Sequence, residues 1–226
     1  MLKPSLEEVK QLAKQYNTIP VFYEFSADNQ TPLNIYTAFA KNSKNSFILE
    51  SVSNGVQWDR YSFIGFSPEK EIRMMGNTAE IRSGDAVQTE QVEEPIAFLK
   101  KMLAEYRAPS YPDAPHFTGG LIGYFGYDTV RYVEKRLTNV PEDDIHMPDC
   151  HLFLYEELIA YDHLTSNGIV ILNLHTDGDL GAQYAAAQWR AEELAHIVRN
   201  YHCQPQETHH KGEAMVHSNL TKEQYS

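Results

Sequence analysis

The sequence is poor in cysteine, poor in clustered basic charge, and without a long apolar run. Its two cysteines, Cys150 and Cys203, are too few for a disulfide framework and stand in no CxxC spacing. Reduced, partly buried thiols are therefore expected. Lys and Arg total 19 against 31 Asp and Glu, a formal charge of −12, and no basic run exceeds two residues. A phosphate backbone needs a Lys/Arg-rich face, so nucleic acid is excluded as a partner. No stretch approaches a membrane span, and the opening MLKPSLEEVKQLAKQY is amphipathic and charged rather than a basic segment followed by an apolar one. The expectation is a soluble, cytoplasmic chain with no membrane partner. Phosphate-binding patterns are missing too: the glycines of TGGLIGYFGYD match neither GxGxxG nor a P-loop. His202, His209, His210 and His217 fit neither HExxH nor a zinc finger, which leaves a solvated tail.

What is present is enough apolar material, 42% of 226 residues, for a real core in one large domain or two small ones. Residues 5–16 place Leu6, Val9, Leu12, Ala13 and Tyr16 on one face, with Ser5 as N-cap and Glu8 three residues on, and predict a surface helix. Residues 19–25 read as a strand, with Pro20 at its start. Thr31-Pro32 opens a second helix, Pro95 a third running to Tyr106, and Asp179 caps a fourth running to about Tyr201. Residues 71–74 and 78–82 flank Gly76-Asn77 as a hairpin, and 88–93 read as a loop. Three prolines make 107–117 a loop where a domain boundary is conceivable. The glycine-rich 118–128 predicts a central strand approached closely by another backbone. Residues 130–135 read as a short helix and 138–144 as an acidic loop. HLFLYEELIAYD, 151–162, and GIVILNLH, 168–175, read as long core strands across a turn at 164–167. About nine strands and five helices, with antiparallel hairpins, give an α+β class.

The stretch from 47 to 68, FILESVSNGVQWDRYSFIGFSP, carries the candidate chemistry. Phe47-Ile48-Leu49 is a strand running into Glu50-Ser51, and a carboxylate at the end of a buried strand needs a partner. Arg60 opens the next apolar run and is the nearest cation in sequence. A turn at Ser53-Asn54-Gly55 brings Glu50, Ser51, Arg60 and Tyr61 together over Phe47, Trp58 and Phe63. Such a group suits a zwitterion with an apolar body: Glu50 pairs with an ammonium, Arg60 with a carboxylate or with Glu50 itself. A plain structural hairpin with a Glu50–Arg60 ion pair fits the same residues.

Four separated motifs, FILESV with RYSFIGFSP, TGGLIGYFGYD, MPDCHLFLYEELIAYDH and SNLTKEQYS, resemble landmarks in the amino-terminal half of anthranilate synthase component I. That family opens tryptophan biosynthesis, converting chorismate plus glutamine or ammonia to anthranilate, pyruvate and glutamate. Aminodeoxychorismate synthase component I is closely similar, and a non-catalytic interaction module of the same fold is a further alternative. The resemblance implies a layered α/β structure with a mainly antiparallel β sheet, half of a β sandwich, flanked by helices. It implies a regulatory and scaffold domain over 1–203, a linker over 204–217, and over 218–226 the start of the carboxy-terminal chorismate-binding domain. Catalytic groups and magnesium ligands belong to that second domain, so none is expected here, nor turnover by this chain alone. It places the feedback inhibitor L-tryptophan at Glu50, Ser51, Arg60 and Tyr61, with Asp59 and Ser62 alongside and Pro20 near by main-chain contact. It implies a glutamine amidotransferase subunit as partner, allosteric coupling between the halves, and an apolar sheet face exposed where the second half would cover it.

Overall fold

Ser5 opens the first helix as its spacing with Glu8 predicts. The Ser5 hydroxyl accepts the Glu8 amide, and the Glu8 carboxylate accepts the Ser5 amide at 2.8 Å, satisfying donors at both ends of the box. In the computed structural model, which describes residues 1–50, 60–134, 136–139, 142–143, 145–202 and 221, this helix is α1, Leu6–Leu12. It is followed by β1, Thr18–Ser26; α2, Pro32–Ala40; β2, Ser46–Leu49; and β3, Tyr61–Phe66. Next come β4, Lys70–Met75; β5, Thr78–Ser83; β6, Ala86–Gln91; and α3, Pro95–Ala104. The remainder is β7, Gly120–Phe125; a 3-10 helix, Tyr127–Tyr132; β8, Cys150–Tyr155; β9, Glu157–Asp162; β10, Asn167–His175; and α4, Leu180–Asn200. The class is α+β, as predicted.

The strands make two antiparallel five-stranded sheets, ordered β1-β10-β9-β3-β2 and β6-β5-β4-β8-β7. Two chain segments pass from one sheet to the other side by side. β3 leads into β4 through Ser67 at φ 50°, and β8 leads into β9 through Glu156. The segment read as one long strand, 151–162, is therefore two strands in different sheets. Glu156 marks the break: its carbonyl accepts the Asn173 amide and side-chain Nδ2, and its carboxylate lies 2.7 Å from His175 Nε2. Because strands from both halves of the chain interleave in this way, loop 107–117 divides nothing. It instead covers one face of the first sheet, with Tyr111 edge-on to Phe22 and Phe117 edge-on to Phe47 and Phe63.

The opposite face of that sheet holds the main core. Val21, Ile64, Ile159 and Val170 meet Val9 of α1, Ile35 and Phe39 of α2, and Ala191, Leu194 and Val198 of α4. A second core lies between the other sheet and α3, where Ile72, Met74 and Leu152 pack with Leu99. Cys150 is sealed there, and burial pushes its thiol up to about 11, so it is a packing residue; Cys203 lies outside the described residues. Three further expectations change. Residues 88–91 belong to β6, because Gly84 at φ 57° closes a tight turn and backbone pairing with β5 holds an exposed strand that no apolar pattern reveals. The glycine-rich β7 is an edge strand, although its backbone is indeed closely approached: a Cβ on Gly123 would stand 2.0 Å from the His151 carbonyl oxygen. The helix expected at 130–135 is a 3-10 turn beginning at Tyr127.

Candidate functional site

β2 and β3 pair antiparallel as the sequence predicts, Ile48 opposite Ile64 and Leu49 opposite Phe63. On its other side β3 pairs with β9, Ser62 opposite Tyr161 and Tyr61 opposite Asp162. Glu50, Arg60, Tyr61 and Ser62 are thereby carried to one end of the sheet, where β9 finishes in Asp162-His163. Pairing alternates faces. Tyr61 and Phe63 share a side with Phe47, Ala160 and Phe117, whereas Ser62 turns with Ile64 toward the helices.

Arg60 finds its carboxylate on β9, not at Glu50. Nε donates to Asp162 Oδ1 at 3.0 Å and Nη2 to Oδ2 at 2.7 Å, a bidentate pair. The physical reason is burial. The Asp162 side chain is 4% exposed and must be compensated, whereas Glu50 is exposed and water serves it. Burial pushes the Asp162 carboxyl up, but Arg60 and the Leu164 amide, 3.0 Å from Oδ1, outweigh it and hold the group below its ordinary 3.8. The guanidinium in turn lies over the Tyr61 ring, Cζ 5.0 Å from the centroid, and burial raises the Tyr61 phenol.

Ser62 is fully buried, with Oγ 2.7 Å from His163 Nε2, and the His163 amide donates to the Arg60 carbonyl at 2.9 Å. Its hydroxyl is therefore turned inward to His163, on the face of the sheet opposite Tyr61. Pro20 is not brought to the cluster. One row of the sheet runs Ser26, Asn167, Asp162, Tyr61, and Pro20 lies six residues along β1 from Ser26, opposite Asn173. At ~3.3 Å per residue that is about 20 Å away. Ser51, Asp59 and Trp58 lie outside the described residues.

Arg60 and Tyr61 thus meet Asp162, and Ser62 meets His163, two partners not expected from the sequence, while Glu50 stands exposed at the same sheet end, one residue past its pairing. A signal for Asp162 existed: the apolar run LIAYD ends on a carboxylate just as FILE does. The arrangement offers an exposed acid, an anchored guanidinium and an aromatic wall, the elements needed to hold a zwitterion. Among the described residues no group of three His, Cys, Asp or Glu side chains could hold a metal ion. Among the same residues no helix is long and apolar enough to cross a membrane.

Residues 59–226 match the family described as chorismate binding enzyme. The chain belongs to that family. Among its curated relatives, the anthranilate synthase component 1 of Acetivibrio thermocellus is 36% identical over 231 residues, covering 100% of this chain and 46% of the relative. That of Pseudomonas aeruginosa is 40% identical over 197 residues, 85% of this chain and 39% of the relative. A crystal structure of anthranilate synthase component I from Streptococcus pneumoniae aligns with 26% identity and a TM-score of 0.48, over 73% of this chain and 34% of that one. This chorismate binding enzyme family member thus spans less than half the length of these relatives.

Proposed function

We propose that this chain is the amino-terminal, regulatory part of an anthranilate synthase component I, which makes anthranilate and pyruvate from chorismate with glutamine or ammonia. The observation that carries the reading is the 36% identity to an anthranilate synthase component 1 along the entire chain. In this reading the chain binds L-tryptophan as feedback inhibitor at the end of β2 and β3, with Glu50 toward the ammonium, Arg60 toward the carboxylate, and Tyr61, Ser51 and Asp59 around them. The acidic, guanidinium and aromatic groups at that sheet end support it chemically. Chemistry takes place in a carboxy-terminal chorismate-binding domain that carries the magnesium; a glutamine amidotransferase subunit supplies ammonia, and the complex works in the cytoplasm. No step of the reaction runs through residues of this chain.

The test is ammonia-dependent conversion of chorismate by the protein that joins this chain to its carboxy-terminal domain, followed at rising tryptophan. An ortho-aminobenzoate product and loss of tryptophan inhibition in Glu50→Ala and Ser51→Ala, with turnover retained, are expected. A para-aminobenzoate product assigns the protein to aminodeoxychorismate synthase instead. Inhibition unaltered in both variants refutes the pocket, and no tryptophan response at all favours an interaction module.

A further inference from the structure

Arginine carries five N–H donors in a planar fork with two usable edges. In Arg60 the edge made by Nε and Nη2 is filled by Asp162 at 3.0 and 2.7 Å, while Nη1 has no hydrogen bond to any described residue. The two ends of this pair sit in different media: Asp162 is 4% exposed and Arg60 44%. Asp162 is itself fixed, since Oδ1 also accepts the Leu164 amide and its strand is locked between β3 and β10. Behind the fork, the Tyr61 ring lies 5.0 Å from Cζ and fixes the plane.

We infer that Asp162 is a positioning residue: it anchors one edge of the Arg60 guanidinium so that the other, formed by Nη1 and the second N–H of Nη2, is held outward as a preformed clamp for the carboxylate of an amino acid. This rests on the proposed tryptophan pocket and assigns within it a residue that does not touch the ligand. A free arginine would lose side-chain freedom on binding; a pre-anchored one has already lost it, so the second carboxylate is captured at lower entropic cost. The buried carboxylate also prevents Arg60 from folding back onto Glu50, which is exposed and, among the described residues, makes no side-chain bond that would keep it from an ammonium.

The test compares L-tryptophan with tryptamine, which keeps the indole and ammonium and lacks the carboxylate, by calorimetric titration of the protein carrying both halves. Wild type is expected to prefer tryptophan by roughly ten- to a hundredfold, the range for a hydrogen-bonded charged group. Asp162→Asn should collapse that preference to near unity while tryptamine binding stays put, and Asp162→Glu should restore part of it. Glu157→Gln, on the same strand as Asp162, breaks an equally bidentate pair with Arg190 of α4, 2.7 and 2.8 Å, and should leave the preference intact. An unaltered preference in folded Asp162→Asn overturns the inference. If that variant does not fold, Arg60→Lys decides: lysine can neutralise Asp162 but has no second edge, so a retained preference overturns the inference there too. Equal wild-type binding of both compounds also overturns it with the pocket left standing, whereas binding of neither removes the pocket.

Discussion

Two buried or half-buried pairs give the fold opposite responses to pH. The Glu156 hydrogen bond raises the pKa of His175 above its ordinary 6.5, against burial, which lowers it. A raised cation contributes stability fully below the unfolded value and loses it as pH rises through the folded one. The melting-temperature gap between wild type and His175→Gln should therefore be widest below pH 6.5 and close on the alkaline side. A gap constant from pH 5 to 9 would contradict this. Asp162 runs the other way: its carboxyl is held below 3.8, so its contribution is complete above that value and disappears as pH falls through the lowered one. At the same scale, Gly123→Ala should be costly, because the new methyl meets a backbone carbonyl that no rotamer change can move. Overpacking of this kind costs about 1–3 kcal/mol, readable as a lowered urea midpoint. Individual residues were legible where their demand was local, as with Ser5 and Thr31 as caps. The partner of Arg60 was not, because it lies 102 positions away and is set by strand order.

The helices show how far local signals reach. α4 starts where Asp179 predicts, with Oδ1 accepting the Gly181 amide at 2.8 Å and the Ala182 amide at 3.2 Å. Asp179→Ala should cost about 1 kcal/mol, measured by chemical denaturation. Its inner face is the larger contribution. Leu194 is fully buried against the first sheet, and Leu194→Ala should cost about 2–5 kcal/mol. A loss under half a kcal/mol would mean that α4 does not dock as described. Strands were less legible than helices. β6 is held by backbone pairing with no buried side chain, and Glu156-Glu157, two acids inside a run apolar on both sides, does not by itself reveal a change of sheet.

For the whole molecule, the family resemblance implies an exposed apolar sheet face. The outer side of the second sheet is instead mixed, with Glu71, Arg73 and His151 bonded together beside Phe153. Exposed apolar side chains gather at the end of that sheet, where Met75, Tyr127, Ile145 and Met147 border one depression. Contiguous apolar surface of this kind promotes association. Sedimentation of the isolated chain should show concentration-dependent self-association, reduced by Ile145→Lys with Met147→Glu; monomer at all concentrations would refute it.

The sequence by itself determined the class, the four α-helices with the caps Ser5, Thr31 and Asp179, the pairing of β2 with β3 and the family, because these rest on periodicity, turn chemistry and motifs within a few residues of one another. Tertiary structure decided which strand lies beside β3, and with it that Arg60 meets Asp162, that Ser62 turns inward and that Pro20 stands at the far end. Those outcomes depend on sheet order and register, and a buried carboxylate takes whichever cation the neighbouring strand presents, however distant in the chain.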